Sequence, residues 1–196
     1  LRSIRVVPVA AESLGVRSMA TYVETPDVRI LIDAGASLGP RAFKIPHPRE
    51  YRALRRARRR LTFYAKRTDV VTVSHYHLDH YTPAWREPEY SWTWSSAEAA
   101  KKVYGGKKVL AKDFRDRINP HQRKRAWIFW KTVGEMAEEL IAADGREFDF
   151  GRTRLIFSKP VPHGEEGTDL GWVLMVCIER GEERVVHTSD VQGPVS

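Results

Sequence analysis

The chain has 196 residues, of which 42% are hydrophobic and 30% charged, and a formal net charge of +8. This length and composition indicate one domain with a hydrophobic core and a charged surface. No apolar run approaches membrane-spanning length and the first residues do not form a signal peptide, so we expect a cytoplasmic protein without membrane contact.

The single cysteine, Cys177, excludes an internal disulfide and a zinc site made of cysteines, and its apolar neighbours predict a buried, inert thiol. The positive charge favours acidic partners such as nucleic acid or phosphorylated metabolites. One Asn and two Gln in a chain rich in charges are typical of thermophilic proteins, although genome composition can also enrich arginine.

Short apolar runs bounded by turn residues predict three strands near the start of the chain, over residues 4–9, 19–24 and 28–32. A Pro-Asp pair separates the last two of these strands and indicates a turn. The third strand is followed directly by Asp33, which is an ordinary turn residue on its own.

Residues 48–66 predict a helix with an apolar stripe on one face and an arginine-rich opposite face. The arginines on that face are Arg52, Arg55, Arg56, Arg59 and Arg60. A solvent-exposed helix face is the ordinary interpretation of such a run, and a surface that contacts phosphate groups is the alternative.

The β-branched run at residues 70–74 predicts a buried strand that ends in a cluster of metal-ligand side chains. His75 and His77 are two positions apart and therefore point to the same side, while Asp79 and His80 follow where the chain must turn. Imidazole nitrogen and carboxylate oxygen are ligands of zinc, manganese and iron. The cluster predicts a metal site, and histidines in a surface loop are the alternative.

The segment at residues 81–94 is rich in aromatic residues and prolines, and either walls one side of the site or packs in the core. Residues 95–104 then predict a short helix and residues 107–111 a strand. A long helix is predicted at 119–143, with Asn119 as its cap.

The long helix begins with basic residues interleaved with aromatic ones, a pattern that can bind single-stranded nucleic acid. The basic residues of this turn that we consider candidate phosphate contacts are Arg123, Lys124 and Arg125. A surface helix with buried tryptophans is the alternative interpretation.

The last part of the chain predicts four strands, with a histidine and an aspartate at strand ends. The predicted strands are at 147–150, 154–159, 171–179 and 183–187. His163 follows the second of them in a loop of Pro and Gly, and Asp190 follows the fourth. Each could be a simple turn residue, and His187 is expected to pack within its strand.

The motif His-x-His-x-Asp-His after a hydrophobic strand resembles the metallo-β-lactamase superfamily. The resemblance implies that one metal ion is held by two histidines of the motif and a later histidine, and a second by the remaining motif residues, with a later aspartate bridging both. The implied ligands are His75, His77 and His163 for the first ion, and Asp79, His80 and the bridging Asp190 for the second. Asp33 would brace the metal loop through hydrogen bonds.

More locally, residues 12–19, 122–125 and 189–194 look like an archaeal branch of this superfamily with no assigned substrate. The implied fold is α+β, a four-layer αββα sandwich with the metals at one sheet edge. Family members continue past the bridging aspartate, so we expect residues 1–196 to be a single domain holding the N-terminal part of that fold. A second metal ion would then lack one ligand, which a homo-oligomer could supply.

These features predict a metal-dependent hydrolase with one or two divalent ions, zinc first and iron or manganese as alternatives, that attacks an ester with hydroxide. Asp79 and His80 are the candidate catalytic residues, and the charge favours a phosphodiester or another anionic ester. One alternative is a nucleic-acid-binding module with a structural or vestigial metal, whose candidate contacts include Arg55, Arg56 and Arg59. A di-iron redox protein is a third interpretation, which the absence of a flavin-domain segment disfavours.

Overall fold

The structure, a computed structural model, describes residues 3–39, 44–85, 92–165 and 168–192, and contains two main β-sheets and three α-helices. The helices are α1 (Pro48–Ala65), α2 (Ala97–Tyr104) and α3 (Pro120–Gly134). None of the helices in these ranges combines the length and the apolar character that crossing a membrane requires.

Six strands form the first sheet, in the order β1 to β6 along both the chain and the sheet. They are β1 (Arg5–Pro8), β2 (Thr21–Glu24), β3 (Arg29–Ile32), β4 (Val70–Val73), β5 (Lys108–Ala111) and β6 (Glu139–Ala142). β1 to β3 are antiparallel, and β3 to β6 are parallel. The central strand β4 is buried along its whole length, which explains its continuous β-branched sequence.

The second sheet is antiparallel, with its strands in the order β12-β11-β8-β7. The segment between β8 and β11 forms a separate two-stranded ribbon. The sheet strands are β7 (Glu147–Phe150), β8 (Thr153–Phe157), β11 (Val176–Arg180) and β12 (Glu183–His187). The ribbon pairs β9 (Val161–Pro162) with β10 (Trp172–Val173).

The first sheet separates two hydrophobic clusters because successive residues of its strands face opposite sides. The cluster shared with the helices includes Leu31, Val71, Leu54 and Phe129. The cluster shared with the second sheet includes Ile30, Val70, Leu155 and Ile178. Helices, first sheet and second sheet therefore stack as successive layers, which gives the α+β architecture and three of the four predicted layers within the described part of the chain.

The long helix predicted to reach residue 143 is wrong in its second half. Helix α3 ends at Gly134, and residues 139–142 form strand β6, which pairs in parallel with β5. The apolar positions Ala137, Leu140 and Ile141 fit helical spacing as well as strand spacing, and pairing with β5 decides between them.

The prediction of a fully buried thiol at Cys177 also needs correction, because this residue is only partly buried. Cys177 lies between Ile156 and Val186 in the register of the second sheet, and Val186 is 59% exposed. These residues belong to the face of the second sheet that points away from the first sheet.

Candidate metal centre

The candidate site lies where the parallel strands β3 and β4 end, at one edge of the first sheet. Asp33 follows β3, and Ser74 and His75 follow β4. The Asp33 carboxylate accepts hydrogen bonds from the Ser74 backbone N–H at 2.8 Å and from the Ser74 hydroxyl at 2.7 Å. Asp33 is fully buried, so it ties the start of the histidine loop to the neighbouring strand end.

Gly35 allows the histidine loop to pack against the segment after β3. A Cβ atom at this position would lie 2.3 Å from the backbone nitrogen of Tyr81 and 2.5 Å from the backbone carbon of His80. Any side chain here would displace backbone rather than a flexible group, so the position requires glycine.

Four ligand atoms from three separate parts of the chain converge at the first candidate position: those of His75, His77, His163 and Asp190. His77 Nδ1 lies 3.1 Å from His75 Nε2 and 3.2 Å from His163 Nε2. His163 Nε2 also lies 3.2 Å from Asp190 Oδ2. The structure thus brings together residues separated by more than 100 positions in the sequence.

These spacings can be compared with a tetrahedral metal site. Ligand atoms about 2.0–2.1 Å from a central ion are about 3.3–3.4 Å from one another in a regular tetrahedron. The three distances of 3.1–3.2 Å are close to this edge length. Three of the six distances between the four ligand atoms are therefore compatible with a tetrahedral nitrogen and oxygen site, and the other three are at most 4.8 Å.

The second candidate position consists of Asp79, His80 and Asp190, and its ligand atoms are further apart. His80 Nε2 lies 3.8 Å from Asp79 Oδ2 and 3.7 Å from Asp190 Oδ2. Asp190 Oδ2 is the atom nearest to His163 and to His80 in these contacts, so one carboxylate oxygen faces both positions.

Burial keeps two histidines of the first position, His75 and His77, neutral. It lowers the pKa of His75 well below its ordinary value, and the neighbouring imidazoles His80, His77 and His163 act in the same direction. Burial, together with His163, lowers the pKa of His77 to about 4. Both side chains therefore present uncharged nitrogen atoms at neutral pH.

His80 is in the opposite electrostatic environment. Burial alone would lower its pKa, but Asp190 and Asp33 raise the pKa of His80 to about 10. The shortest of these contacts joins His80 Nδ1 to Asp33 Oδ2 at 2.9 Å. His163 and His80 in turn hold the pKa of Asp190 far below its ordinary value.

The residues present fit a divalent transition metal. Buried nitrogen atoms with lone pairs 3.1–3.2 Å apart are unfavourable unless a proton or a cation lies between them. Nδ1 of His163 is buried without a hydrogen-bond partner among the described residues. Asp33, by contrast, makes the carboxylate–histidine contact that commonly orients a metal-binding imidazole.

Gln122, at the start of α3, contacts His77 and was not predicted from the sequence. Its Nε2 lies 3.1 Å from His77 Nε2 and donates to the Leu170 carbonyl, and its Oε1 accepts from the Tyr76 backbone N–H. For His77 Nδ1 to bind a metal ion, the ring proton must lie on Nε2. The Gln122 amide accepts that proton only if it turns its oxygen towards the ring and gives up its bonds to Tyr76 and Leu170. No signal in the sequence indicated that α3 begins beside the motif.

Ser189 is a second buried residue that sequence reasoning missed. Its hydroxyl donates to Ser74 Oγ at 2.6 Å and lies 3.3 Å from Asp33 Oδ2. These contacts fix the backbone immediately before Asp190. His187 lies outside both groups of ligands and faces the Met19 carbonyl at 3.0 Å.

A cavity of about 330 Å³ opens beside the ligands. Its lining includes the polar or charged residues Arg17, Ser37, His77, Asp79, Arg125 and His163, and the apolar residues Leu38, Leu78, Trp92 and Leu170. Of the six basic residues predicted as phosphate or nucleic-acid contacts, only Arg125 lines this cavity. Arg17 is a further basic residue there that the sequence did not single out.

The other predicted basic contacts lie apart from the cavity lining, within the described residues. They are exposed on the surfaces of α1 and α3: Arg55, Arg56, Arg59, Arg123 and Lys124. The aromatic segment after the motif serves both predicted purposes, since Trp92 lines the cavity and Tyr81 is fully buried in the core. Residues 86–91 of that segment lie outside the described residues.

Comparison with known sequences finds archaeal relatives. The chain is 50% identical over 190 residues to a UPF0282 protein of Thermococcus gammatolerans, covering 96% of this chain and 62% of the relative. It is 50% identical over 189 residues to a UPF0282 protein of Pyrobaculum neutrophilum, covering 96% of this chain and 61% of the relative. The chain thus spans about three fifths of the length of these relatives. No protein-family model matches the chain.

Comparison with solved structures finds metallo-β-lactamase-fold proteins at low sequence identity. The metallo-β-lactamase fold protein YhfI of Bacillus subtilis matches with a TM-score of 0.56 at 18% identity, covering 95% of this chain and 61% of that protein. A possible metal-dependent hydrolase of Veillonella parvula matches with a TM-score of 0.53 at 13% identity, covering 92% of this chain and 63% of that protein. An isothiocyanate hydrolase from Delia radicum gut bacteria matches with a TM-score of 0.52 at 17% identity, and it too covers 92% of this chain and 63% of that protein.

The layered sheets, the ligand cluster at the strand ends and these structural matches agree with one another. The chain has the metallo-β-lactamase fold and, over nearly its whole length, is similar to part of the archaeal UPF0282 proteins.

Proposed function

We propose that this protein is a metal-dependent hydrolase that acts on an anionic ester, with phosphoesters as the first candidates. The observation that carries the proposal is the convergence of His75, His77, His163 and Asp190 at tetrahedral spacing, with Asp190 also facing Asp79 and His80. Two structural neighbours of the same fold are described as hydrolases, which supports this assignment.

In this proposal His75, His77, His163 and Asp190 hold one divalent ion, and Asp79, His80 and Asp190 hold a second. Zinc suits the nitrogen and carboxylate ligands, and iron and manganese are alternatives. Bound ions of this kind lower the pKa of water to about 7 and stabilise negative charge that develops on a carbonyl or phosphoryl oxygen.

The chain's own residues then orient these groups and manage protons. Asp33 fixes the His80 ring through its 2.9 Å contact with Nδ1, which leaves Nε2 directed at Asp79 and Asp190. Asp79 lines the cavity, so its carboxylate can accept the proton that water loses as it attacks and return it to the leaving oxygen.

An anionic substrate fits the charges around the ligands. The chain carries a formal net charge of +8, and two guanidinium groups line the cavity beside His77 and Asp79. Positive charge concentrated in a cavity raises the local concentration of anionic substrates.

The experiment that tests the proposal combines elemental analysis of the gently purified protein with hydrolysis of phosphomonoester, phosphodiester, thioester and carboxylic ester substrates. We expect bound zinc, iron or manganese, and hydrolysis that a chelator abolishes and added metal restores. His77→Ala should lose both metal and activity, whereas His121→Ala, at an exposed position of α3, should retain both. Protein that binds no transition metal, even after metal is added, contradicts the proposal.

A further inference from the structure

Two arginines line the same cavity as the candidate ligands His77, Asp79 and His163. Arg17 Nε lies 3.6 Å from Asp79 Oδ2, at the second candidate metal position. Arg125 Nη1 lies 3.5 Å from the carbonyl of Tyr76, the residue before the first-position ligand His77. One guanidinium group therefore lies close to a candidate ligand of the second position, and the other contacts the backbone next to a candidate ligand of the first.

Both guanidinium groups keep hydrogen-bond donors available. The Arg17 side chain is 43% exposed, and its distances to Asp79 and Glu12, 3.6 and 3.9 Å, exceed those of a close hydrogen bond. Arg125 makes one hydrogen bond within the described residues, at 3.5 Å. Each guanidinium carries five N–H donors, so most of them have no close partner among the residues that the structure describes.

Arg58 shows what a structural arginine looks like in the same protein. Its guanidinium donates to the carbonyls of Thr93 and Ala36 and to the Thr82 hydroxyl, all at 2.8–2.9 Å. Those bonds hold three segments of the chain together. Arg17 and Arg125 have no comparable set of bonds in the described part of the chain, which points to a role in binding rather than in the fold.

Besides the arginines, Ser37 and the candidate ligands, the cavity lining has four apolar side chains, which are Leu38, Leu78, Trp92 and Leu170. A ligand that fills it would place a charged group near the metal ligands and an apolar group against these side chains. A volume of about 330 Å³ is at the lower end for small-molecule sites and favours a compact ligand over a polymer.

We infer that Arg17 and Arg125 determine specificity at the metal centre by binding a doubly charged phosphoryl group, so that the substrate is a phosphomonoester with an apolar or aromatic leaving group. This inference rests on the proposed hydrolase function. Two planar guanidinium groups can each bind a phosphoryl oxygen pair through parallel hydrogen bonds, and a dianion uses both more fully than a monoanionic diester does.

The inference separates this cavity from the exposed basic residues of α1 and α3. Recognition of a long nucleic-acid backbone would use those surface charges, whereas recognition of a single phosphoryl group uses the two arginines that line the cavity. Exposed Arg152, in the turn between β7 and β8, offers a matched control because its loss removes the same charge elsewhere.

The test measures binding of inorganic phosphate and phenylphosphonate by calorimetry, with both zinc-loaded and chelator-treated protein. We expect Arg17→Ala and Arg125→Ala each to weaken binding about tenfold or more in both preparations, with Arg152→Ala unchanged. The affinity of Arg125→Lys should lie between those of the unchanged protein and Arg125→Ala, because lysine keeps the positive charge but cannot form two parallel hydrogen bonds. Melting temperatures identify any variant that fails to fold.

Hydrolysis supplies the second readout, with p-nitrophenyl phosphate, bis(p-nitrophenyl) phosphate and p-nitrophenyl acetate as substrates. The arginine variants should raise KM for the monoester about tenfold and change hydrolysis of the neutral acetate by a clearly smaller factor. A preference for the diester, or equal effects of Arg17→Ala, Arg125→Ala and Arg152→Ala, would overturn the inference while metal-dependent acetate hydrolysis still supported a hydrolase. Phosphate binding that needs both arginines in a protein that holds no metal would overturn the hydrolase proposal, and with it the substrate assignment, and leave the two arginines as a phosphate-binding site.

Discussion

The two candidate metal positions share Asp190 but are prepared in different ways. At the first, ligand atoms lie 3.1–3.2 Å apart, and burial keeps His75 and His77 uncharged. At the second, the contacts of His80 Nε2 with the two carboxylates are 3.7–3.8 Å long. Carboxylates around His80 raise its pKa to about 10, against the effect of burial.

This difference has a simple physical origin. After burial, the groups that act most on the pKa of His75 are other imidazoles, which do not stabilise positive charge, whereas His80 lies against the carboxylates of Asp33, Asp79 and Asp190. A metal ion needs an unprotonated nitrogen. The first position therefore offers its nitrogens directly, and the second must lose a proton before His80 can bind.

The largest expected effect is on the residue common to both positions. Asp190→Ala should lower zinc affinity at both, by more than the roughly 10–100-fold that loss of an outer hydrogen-bond partner costs. Competition with a chromophoric chelator measures both affinities. A variant that loses one ion and keeps the other at full affinity contradicts the shared role of Asp190.

Two variants of residues behind the ligands should separate the positions. Asp33→Asn should weaken binding of the second ion about 10–100-fold and binding of the first by less, because Asp33 is hydrogen-bonded to His80 and reaches His75 through Ser74. Gln122→Ala should weaken binding of the first ion more than binding of the second, because Gln122 contacts His77. Gln122→Glu keeps an acceptor for the ring proton of His77 and should bind the first ion more tightly than Gln122→Ala does.

Competition with a chromophoric chelator measures both effects. Urea unfolding of the chelator-treated variants checks that the protein still folds when the buried Asp33 is replaced. Equal losses at both positions in either variant would show that the two ions do not bind independently prepared sites.

Proton release should distinguish the two ions at pH 7.5. His80, with a pKa of about 10, is protonated there before the ion binds, so the second ion displaces about one proton from it, and affinity should fall about tenfold for each unit that pH drops below 10. His75 and His77 release none, because both are already neutral.

Calorimetry in buffers of different ionisation enthalpy counts these protons, and Asp33→Asn should reduce the number for the second ion because it lowers the pKa of His80. If the second equivalent of metal ion binds without releasing a proton, His80 is not protonated before that ion binds, which contradicts the prediction.

The smallest effect is expected at Ser189. Ser189→Ala removes the hydroxyl that donates to Ser74 and costs about 1 kcal/mol of unfolding free energy, since the hydroxyl is buried. Urea unfolding of chelator-treated protein measures this loss. Both metal affinities should change by less than they do in Asp33→Asn, and a larger loss would make Ser189 part of the ligand support.

The sequence predicted which candidate ligands cluster better than it predicted their surroundings. Six residues in a row after a β-branched strand carry their own geometric signal, and the resemblance then indicated His163 and Asp190, which the structure brings beside them. Gln122 and Arg17 could not be predicted, because their proximity to the motif depends on how α3 and the segment after β1 pack. The misassigned strand β6 has the same cause, since only pairing with β5 distinguishes it from a continued helix.

The most direct measurement of the central claim is anomalous diffraction from crystals soaked in zinc. The account predicts a peak about 2.0–2.1 Å from Nε2 of His75, Nδ1 of His77 and Nε2 of His163, with an Asp190 oxygen as the fourth ligand. Zinc bound only elsewhere, or a map without a peak among these three histidines, would contradict it.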